Sequence, residues 1–334
     1  LFQRLAIFTY SGLTLCGFVT VKRLILRVWN VTDFVEGNFL GLPEDDGEPD
    51  VIILSVPYEL TSSYGQGSIE GPKATIAASS QVELYDALLP EDLPCGFRIR
   101  TAEPWDGEGG TLQEQLAGIS EYISRQMAPF PVVLGGEHGM LPAIMKAVGE
   151  KVELNQLTIV QIDAHADLRE ELEGDAFSHA CAARRALDLG VANILQIGIR
   201  AFSREEAEFT ANDDRVQSWL ARDILNPCGG ESAWNNWLDT LSNLSGPVWL
   251  TLDMDGLDPS YVPTTGTPVP GGLAFWQVVE TIETLSAATN ATWVGADVNE
   301  IVPDSNNNVT QFTAAMLVTK IVSAHLARRL RDEK

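Results

Sequence analysis

From about Val51 onward, short solid runs of apolar residues alternate with longer stretches in which apolar positions recur every three or four residues. Solid runs suit strands buried on both faces, and the helical period suits helices packed on one side, so the alternation predicts βαβ units. The runs place strands at Val51–Val56, Pro131–Leu134, Thr158–Ile162, Ile194–Gly198, Val248–Leu252 and Thr292–Val298. The periodic segments place helices at Pro72–Leu88, Leu112–Gln126, Leu141–Val148, His179–Leu189, Trp234–Leu244, Phe275–Ala288 and Gln311–Leu330. No repeat or low-complexity linker divides the series. The simplest architecture is a single three-layer α/β/α domain around a mostly parallel central sheet.

Upstream of the acidic, turn-rich stretch GLPEDDGEPD, the segment Leu5 to Val21 (LAIFTYSGLTLCGFVTV) is apolar and flanked by Arg4, Lys22 and Arg23. It resembles the hydrophobic part of a signal peptide, but no small-residue cleavage site follows, and its Thr, Ser and Tyr make a poor membrane span. The chain also opens on Leu1 and not on Met. Residues 1–35 are therefore read as an apolar extension, non-native or disordered, and residues 36–334 as the single domain. The expectation is no membrane association. The four cysteines, Cys16, Cys95, Cys181 and Cys228, form no CxxC pair, so neither a zinc ribbon nor a disulfide scaffold is indicated and a reducing cytoplasm fits best. With 22 Lys+Arg against 46 Asp+Glu, the formal charge is −24, and no basic face is available for phosphates. Direct nucleic-acid binding is excluded.

Three of the four histidines, His138, His165 and His179, fall in one central stretch beside acid-rich motifs. His138 closes Gly135-Gly136-Glu137-His138, just beyond a strand, where two glycines allow a sharp turn. Asp163-Ala164-His165-Ala166-Asp167 follows the next strand. In an extended segment positions i, i+2 and i+4 share a face, so its three polar residues can converge. Asp253-Met254-Asp255 ends a third strand and puts two more carboxylates on one face. All three motifs would meet in the crevice beyond the strand ends, where open α/β sheets bind ligands. Four carboxylates held close together repel, and two divalent cations would offset them. Oxygen-rich ligation with two imidazoles suits Mn(II) better than zinc, with Ni(II), Co(II) or Fe(II) as alternatives. On pattern alone His179 is as well explained as a residue near a helix start with Ser178 as its cap, and His325 as an ordinary core or surface histidine.

Together with the Asp253 to Gly272 run (DMDGLDPSYVPTTGTPVPGG) and Gly295 to Pro303 (GADVNEIVP), these motifs resemble the ureohydrolase family of arginase and agmatinase. Val56-Pro57-Tyr58, Gly71-Pro72, Asp167-Leu168-Arg169 and Gly198-Ile199-Arg200 look more like the agmatinase branch. The resemblance implies an arginase/deacetylase-like fold and two Mn(II) per subunit. His138, Asp163, Asp167 and Asp253 would hold one ion, and His165, Asp163, Asp253 and Asp255 the other. A hydroxide between the metals would attack the guanidinium carbon of agmatine, releasing urea and putrescine. His179 matches the family's proton shuttle to the leaving amine and Glu300 its guanidinium-binding glutamate. Trimers or hexamers are implied, as is a small cationic guanidino substrate.

Three departures stand out. Gly139 replaces a frequent Ser, Thr264 replaces Gly or Ala, and Gly65-Gln66-Gly67-Ser68-Ile69 lies where many agmatinases have an Arg-Pro-Gly-Ala-Arg run. None is a proposed ligand, but they leave N1-aminopropylagmatine, guanidinobutyrate and guanidine as alternative substrates. Amide hydrolysis on the same fold, as in histone-deacetylase-like enzymes with one zinc, fits less well because His138, Asp253 and Asp255 argue for two metals. A non-enzymatic scaffold would require a broken site.

Overall fold

A computed structural model of the chain describes residues 34–107 and 110–333, so the apolar segment Leu5–Val21 and all but the last two residues of the 1–35 extension lie outside the described residues. The first half of the order is β1 (Val51–Val56), α1 (Gly71–Ser79), β2 (Ile99–Thr101), α2 (Leu112–Gln126), β3 (Phe130–Gly135) and α3 (Leu141–Val148). There follow β4 (Thr158–Ile162), α4 (Ala182–Asp188), β5 (Asn193–Ile199), α5 (Arg204–Asn212), β6 (Val216–Leu220) and the short α6 (Ala221–Ile224). The last part is α7 (Gly230–Ser242), β7 (Gly246–Asp253), α8 (Phe275–Ala287), β8 (Ala291–Asn299) and the long α9 (Val309–Asp332).

The eight strands form one sheet in the order β2-β1-β3-β8-β7-β4-β5-β6, every neighbouring pair parallel. Alternate residues feed two apolar layers. In β1, Val51 and Ile53 join the layer of Ile76, Trp237, Ile282 and Leu317, from α1, α7, α8 and α9. Ile52, Leu54 and Val56 join the opposite layer, with Leu116, Ile144 and Ala183 from α2, α3 and α4. A sheet sealed on both faces explains why its strands read as solid apolar runs. The α/β/α expectation holds.

Four elements differ from the sequence expectation for local reasons. The edge strands β2 and β6 are partly exposed and carry mixed polar and apolar residues (IRT and VQSWL), so no apolar run announces them. The first helix stops at Ser79 and does not run to Leu88, because Ser79 and Ser80 turn their hydroxyls back onto the carbonyls of Ile76 and Ala77 at 2.7 and 2.8 Å. The segment at His179 opens as one turn of 3-10 helix over His179–Cys181 before α4, and Ser178 makes no side-chain capping bond there.

Candidate metal centre

β3, β8, β7 and β4 are neighbours in the middle of the sheet, and each of the predicted motifs leaves the carboxyl end of one of them. Past β3 the chain turns at Gly136, whose N–H bonds to the Val56 carbonyl at 3.1 Å, while the N–H of Glu137 bonds to the Tyr58 carbonyl at 2.8 Å. A Cβ at Gly136 would collide with that Tyr58 carbonyl, so only glycine lets the strand end pass close enough to aim His138 inward.

The two aspartate motifs are built alike. Asp163 Oδ1 accepts the N–H of His165 at 2.6 Å, and Asp253 Oδ1 accepts the N–H of Asp255 at 2.8 Å. Each is an Asx turn in which a side chain replaces a backbone turn. Convergence therefore does not come from an extended strand, as the residue spacing suggested. Asp167 follows with a left-handed backbone (φ 55°), which sends its carboxylate back toward His138. Glu300 is also left-handed (φ 61°), and strain of this kind collects at functional sites.

The geometry gathers all six predicted ligands. His138 Nδ1 stands 3.2 Å from Asp163 Oδ2, 3.1 Å from Asp167 Oδ2 and 3.6 Å from Asp253 Oδ2. His165 Nδ1 stands 3.0 Å from Asp255 Oδ2 and 3.7 Å from Asp163 Oδ1. One atom each from His138, Asp163 and Asp253 lies within 4.8 Å of the others, and so does one each from Asp163, His165 and Asp255. Ligands about 2.1 Å from a shared ion span about 4.2 Å, so both groups are close to coordinating size. Asp163 belongs to both.

Whether the donors suit a cation can be decided at His138. The ring is buried and Nδ1 has no hydrogen-bond partner. Nε2 lies 2.8 Å from Thr251 Oγ1, and that hydroxyl donates to Asp297 Oδ2 at 2.6 Å. With its hydrogen committed to Asp297, Thr251 accepts from Nε2–H, which turns Nδ1 toward three carboxylate oxygens. Against burial, Asp163 and Asp167 hold the ring well above its ordinary pKa, so this atom carries a proton that a metal ion, drawn by the same carboxylates, would replace.

The charges agree. Burial first, then repulsion from Asp163, pushes the Asp167 carboxyl up to about 7, and burial with Asp255 and Asp163 raises Asp253 well above the carboxylate range. Burial also raises Asp163, but His138 and His165 outweigh it and hold that group below its ordinary value. His165 is opposed by burial and lifted to about 11 by Asp163 and Asp255. Anions that repel in a buried cluster gain most from divalent cations.

Both remaining candidates line the same pocket, with Ser62, Ser63, Gly65, Gly266 and Thr267. Glu300 Oε1 accepts the N–H of His138 at 2.9 Å, which fixes the carboxylate, and Oε2 lies beside the pocket residue Gly266. Burial pushes this carboxyl up to about 8. His179 is 3.1 Å from Thr61 Oγ1 through Nδ1, and burial followed by the charges of His165 and His138 lowers its pKa. His325, far from the motifs in sequence, stacks on Phe130 in the core.

Several functional neighbours escaped sequence reasoning. Thr251 and Asp297 hold His138, Gln161 donates to Asp163 Oδ2 at 2.8 Å, and Thr267 donates to Asp255 Oδ2 at 3.2 Å. Arg200 is a partly buried cation whose guanidinium bonds to the carbonyls of Asp255, Leu257 and Val269 at 2.7, 3.1 and 2.6 Å, bracing the loop behind Asp255. The available signal was polar residues, Gln161 and Thr251, inside otherwise apolar strands.

A sequence model of the Arginase family matches residues 49–323, and the chain belongs to that family. It is 33% identical over 283 residues to the N(1)-aminopropylagmatine ureohydrolase of Synechocystis sp., covering 81% of this chain and 88% of that protein. It is 34% identical over 282 residues to the agmatinase of Pyrococcus horikoshii, covering 83% of this chain and 93% of that protein. Among solved structures, agmatine ureohydrolase of Thermoplasma volcanium superposes with a TM-score of 0.71 at 26% identity, covering 91% of this chain and 97% of that one.

Proposed function

We propose that this protein is a binuclear-metal ureohydrolase that hydrolyses the guanidinium group of agmatine to putrescine and urea, with residues 36–334 as its catalytic domain. The observation that carries the reading is the buried Nδ1 of His138 facing three carboxylates, in the same pocket as Glu300 and His179. His138, Asp163, Asp167 and Asp253 are assigned to one ion and His165, Asp163, Asp253 and Asp255 to the other, with Mn(II) favoured by the oxygen-rich donors. When bound, such a pair supplies a hydroxide nucleophile near neutral pH.

The remaining work falls to the chain. Glu300 Oε2 accepts guanidinium N–H groups and orients the planar cation, a role its pinned Oε1 makes precise in angle. His179 carries a proton to the departing amine, as a neutral imidazole near physiological pH can. Cys95, Cys181 and Cys228 are free thiols, which supports a cytoplasmic setting, and no helix among the described residues is long and apolar enough to cross a membrane. Val309, Phe312 and Met316 share an exposed face of α9 and suit a subunit contact in a homo-oligomer.

The test is urea release by Mn-loaded protein on agmatine, N1-aminopropylagmatine, guanidinobutyrate, arginine and guanidine, compared by kcat/KM. Preference for agmatine is expected. Preference for N1-aminopropylagmatine would keep the chemistry and move the substrate, and no urea from any of them would sink the reading.

A further inference from the structure

Each of two site histidines has one ring nitrogen against a threonine hydroxyl, and the two threonines take opposite nitrogens. Thr251 takes Nε2 of His138, and Thr61 takes Nδ1 of His179. Behind Thr61 stands Glu137, fully buried, which neither the ligand set nor the substrate contact uses.

The bonds around Thr61 use up its hydroxyl. Oγ1 donates to Glu137 Oε1 at 2.7 Å, accepts the backbone N–H of His179 at 3.0 Å, and lies 3.1 Å from His179 Nδ1. A hydroxyl has one hydrogen and two lone pairs. Glu137 also receives the N–H groups of Leu60 and Thr61 on Oε2, at 2.8 and 2.6 Å, so donors surround it and it acts as acceptor. With the hydrogen on Glu137 and one lone pair on the His179 N–H, the remaining lone pair can only accept, and Nδ1 must carry the proton. The other neighbour, Ser178 Oγ, is more distant at 3.4 Å. Gly139 keeps this corner open, since a Cβ there would stand 2.9 Å from Glu137 Oε1 and 3.3 Å from the His179 backbone.

We propose that Thr61, anchored by Glu137, is a positioning residue that holds His179 as its Nδ1–H tautomer and leaves Nε2 to exchange protons with bound substrate. This rests on the reading of His179 as the proton-transfer group. The same device thus serves opposite ends: at His138 it turns Nδ1 toward the ligand cluster, and at His179 it leaves Nε2 free of the threonine. A purely structural Thr61 would show in valine only as lost stability, from the unpaired Glu137 Oε1 and His179 N–H, and would leave the tautomer of His179 unchanged.

The test has two independent arms. Imidazole 15N–1H spectra of protein loaded with a diamagnetic divalent cation, with His179 signals identified by their loss in His179→Ala, should show Nδ1–H in the wild type and in Thr61→Ser. Thr61→Val should shift the population toward Nε2–H. Observation of Nε2–H in the wild type, or no change in Thr61→Val, would overturn the assignment. In turnover of agmatine by the Mn-loaded enzyme, Thr61→Val should lower kcat on the order of tenfold or more, with KM and bound metal unchanged, while Thr61→Ser restores most of it. Wild-type kcat in Thr61→Val would overturn the positioning role. Absence of urea from the wild type itself would instead refute the ureohydrolase reading, and the spectra would still decide the tautomer.

Discussion

At the scale of single residues, function rests on which atoms are left without partners. His138 Nδ1 is turned toward three carboxylates because Thr251 and Asp297 hold the far side of the ring. Replacing Thr251 by valine keeps the shape but frees the ring to choose its tautomer, so metal affinity should fall by about 10- to 100-fold with the fold intact. Metal titration followed by calorimetry measures this, and unchanged affinity would remove Thr251 from the site. His179→Ala should behave differently, keeping both metals while kcat drops on the order of a hundredfold. Equal losses of metal and turnover would make His179 a structural residue. The eight candidate residues expected from the sequence do meet in one place, because seven of them lie at or just past strand ends that parallel strands present on one edge, while His179 reaches the same pocket from the 3-10 turn before α4. The residues that support them were not legible: Thr61 and Thr251 carry no motif of their own, and their meaning depends on partners 76 and 46 positions away.

At the scale of elements, legibility followed burial. Strands sealed on both faces were readable as apolar runs, and α2 was marked at both levels, by Leu116, Ile119 and Ile123 at helical spacing and by the Thr111/Glu114 capping box. Edge strands β2 and β6 were not, since half-exposed strands need no such run. The loop between β1 and α1 shows how an unmarked segment can matter. It folds around the Glu59 carboxylate, which accepts the N–H groups of Gly67 and Ile69 at 2.8 and 3.2 Å, and it carries both Thr61 and the pocket residue Gly65. A Cβ at Gly65 would lie 2.8 Å from the Gly266 carbonyl and 3.0 Å from that of Thr265, and backbone cannot swing aside. Gly65→Ala should therefore displace this wall of the pocket and raise KM for agmatine by about three- to tenfold, about 0.7–1.4 kcal/mol of binding, while bound metal stays constant. A KM equal to wild type would show that the loop does not shape the substrate site. The absence of arginines from Gly65–Ile69 thus leaves a wall made of backbone rather than charge.

At the scale of the whole molecule, the two apolar layers set conditions that a single misplaced charge can violate, and His325 tests this. Its ring lies in α9, buried, stacked on Phe130 with centroids 3.7 Å apart and edge-on to Trp293, and neither ring nitrogen has a hydrogen-bond partner. Burial first, then the nearby charges of Arg329 and Arg328, lowers its pKa to about 3. The folded protein therefore keeps His325 neutral where the unfolded chain, with an ordinary histidine pKa of about 6.5, takes up a proton. Because the folded value is the lower one, the stability linked to this group is fully present above about pH 6.5. It is lost as pH falls toward about 3, at about 1.4 kcal/mol per pH unit. His325→Phe keeps an aromatic face for Phe130 and cannot take up a proton. Its unfolding free energy should thus exceed that of the wild type by a margin that widens by about 1.4 kcal/mol per pH unit between pH 6.5 and 4.5. Urea unfolding of both proteins in a chelator reads this margin without the loss of metal that acid also causes, since that loss would otherwise add its own slope. Parallel pH profiles for the two proteins would mean that the ring is solvated in the folded state, and the sealed layer beneath α9 would have to be redrawn.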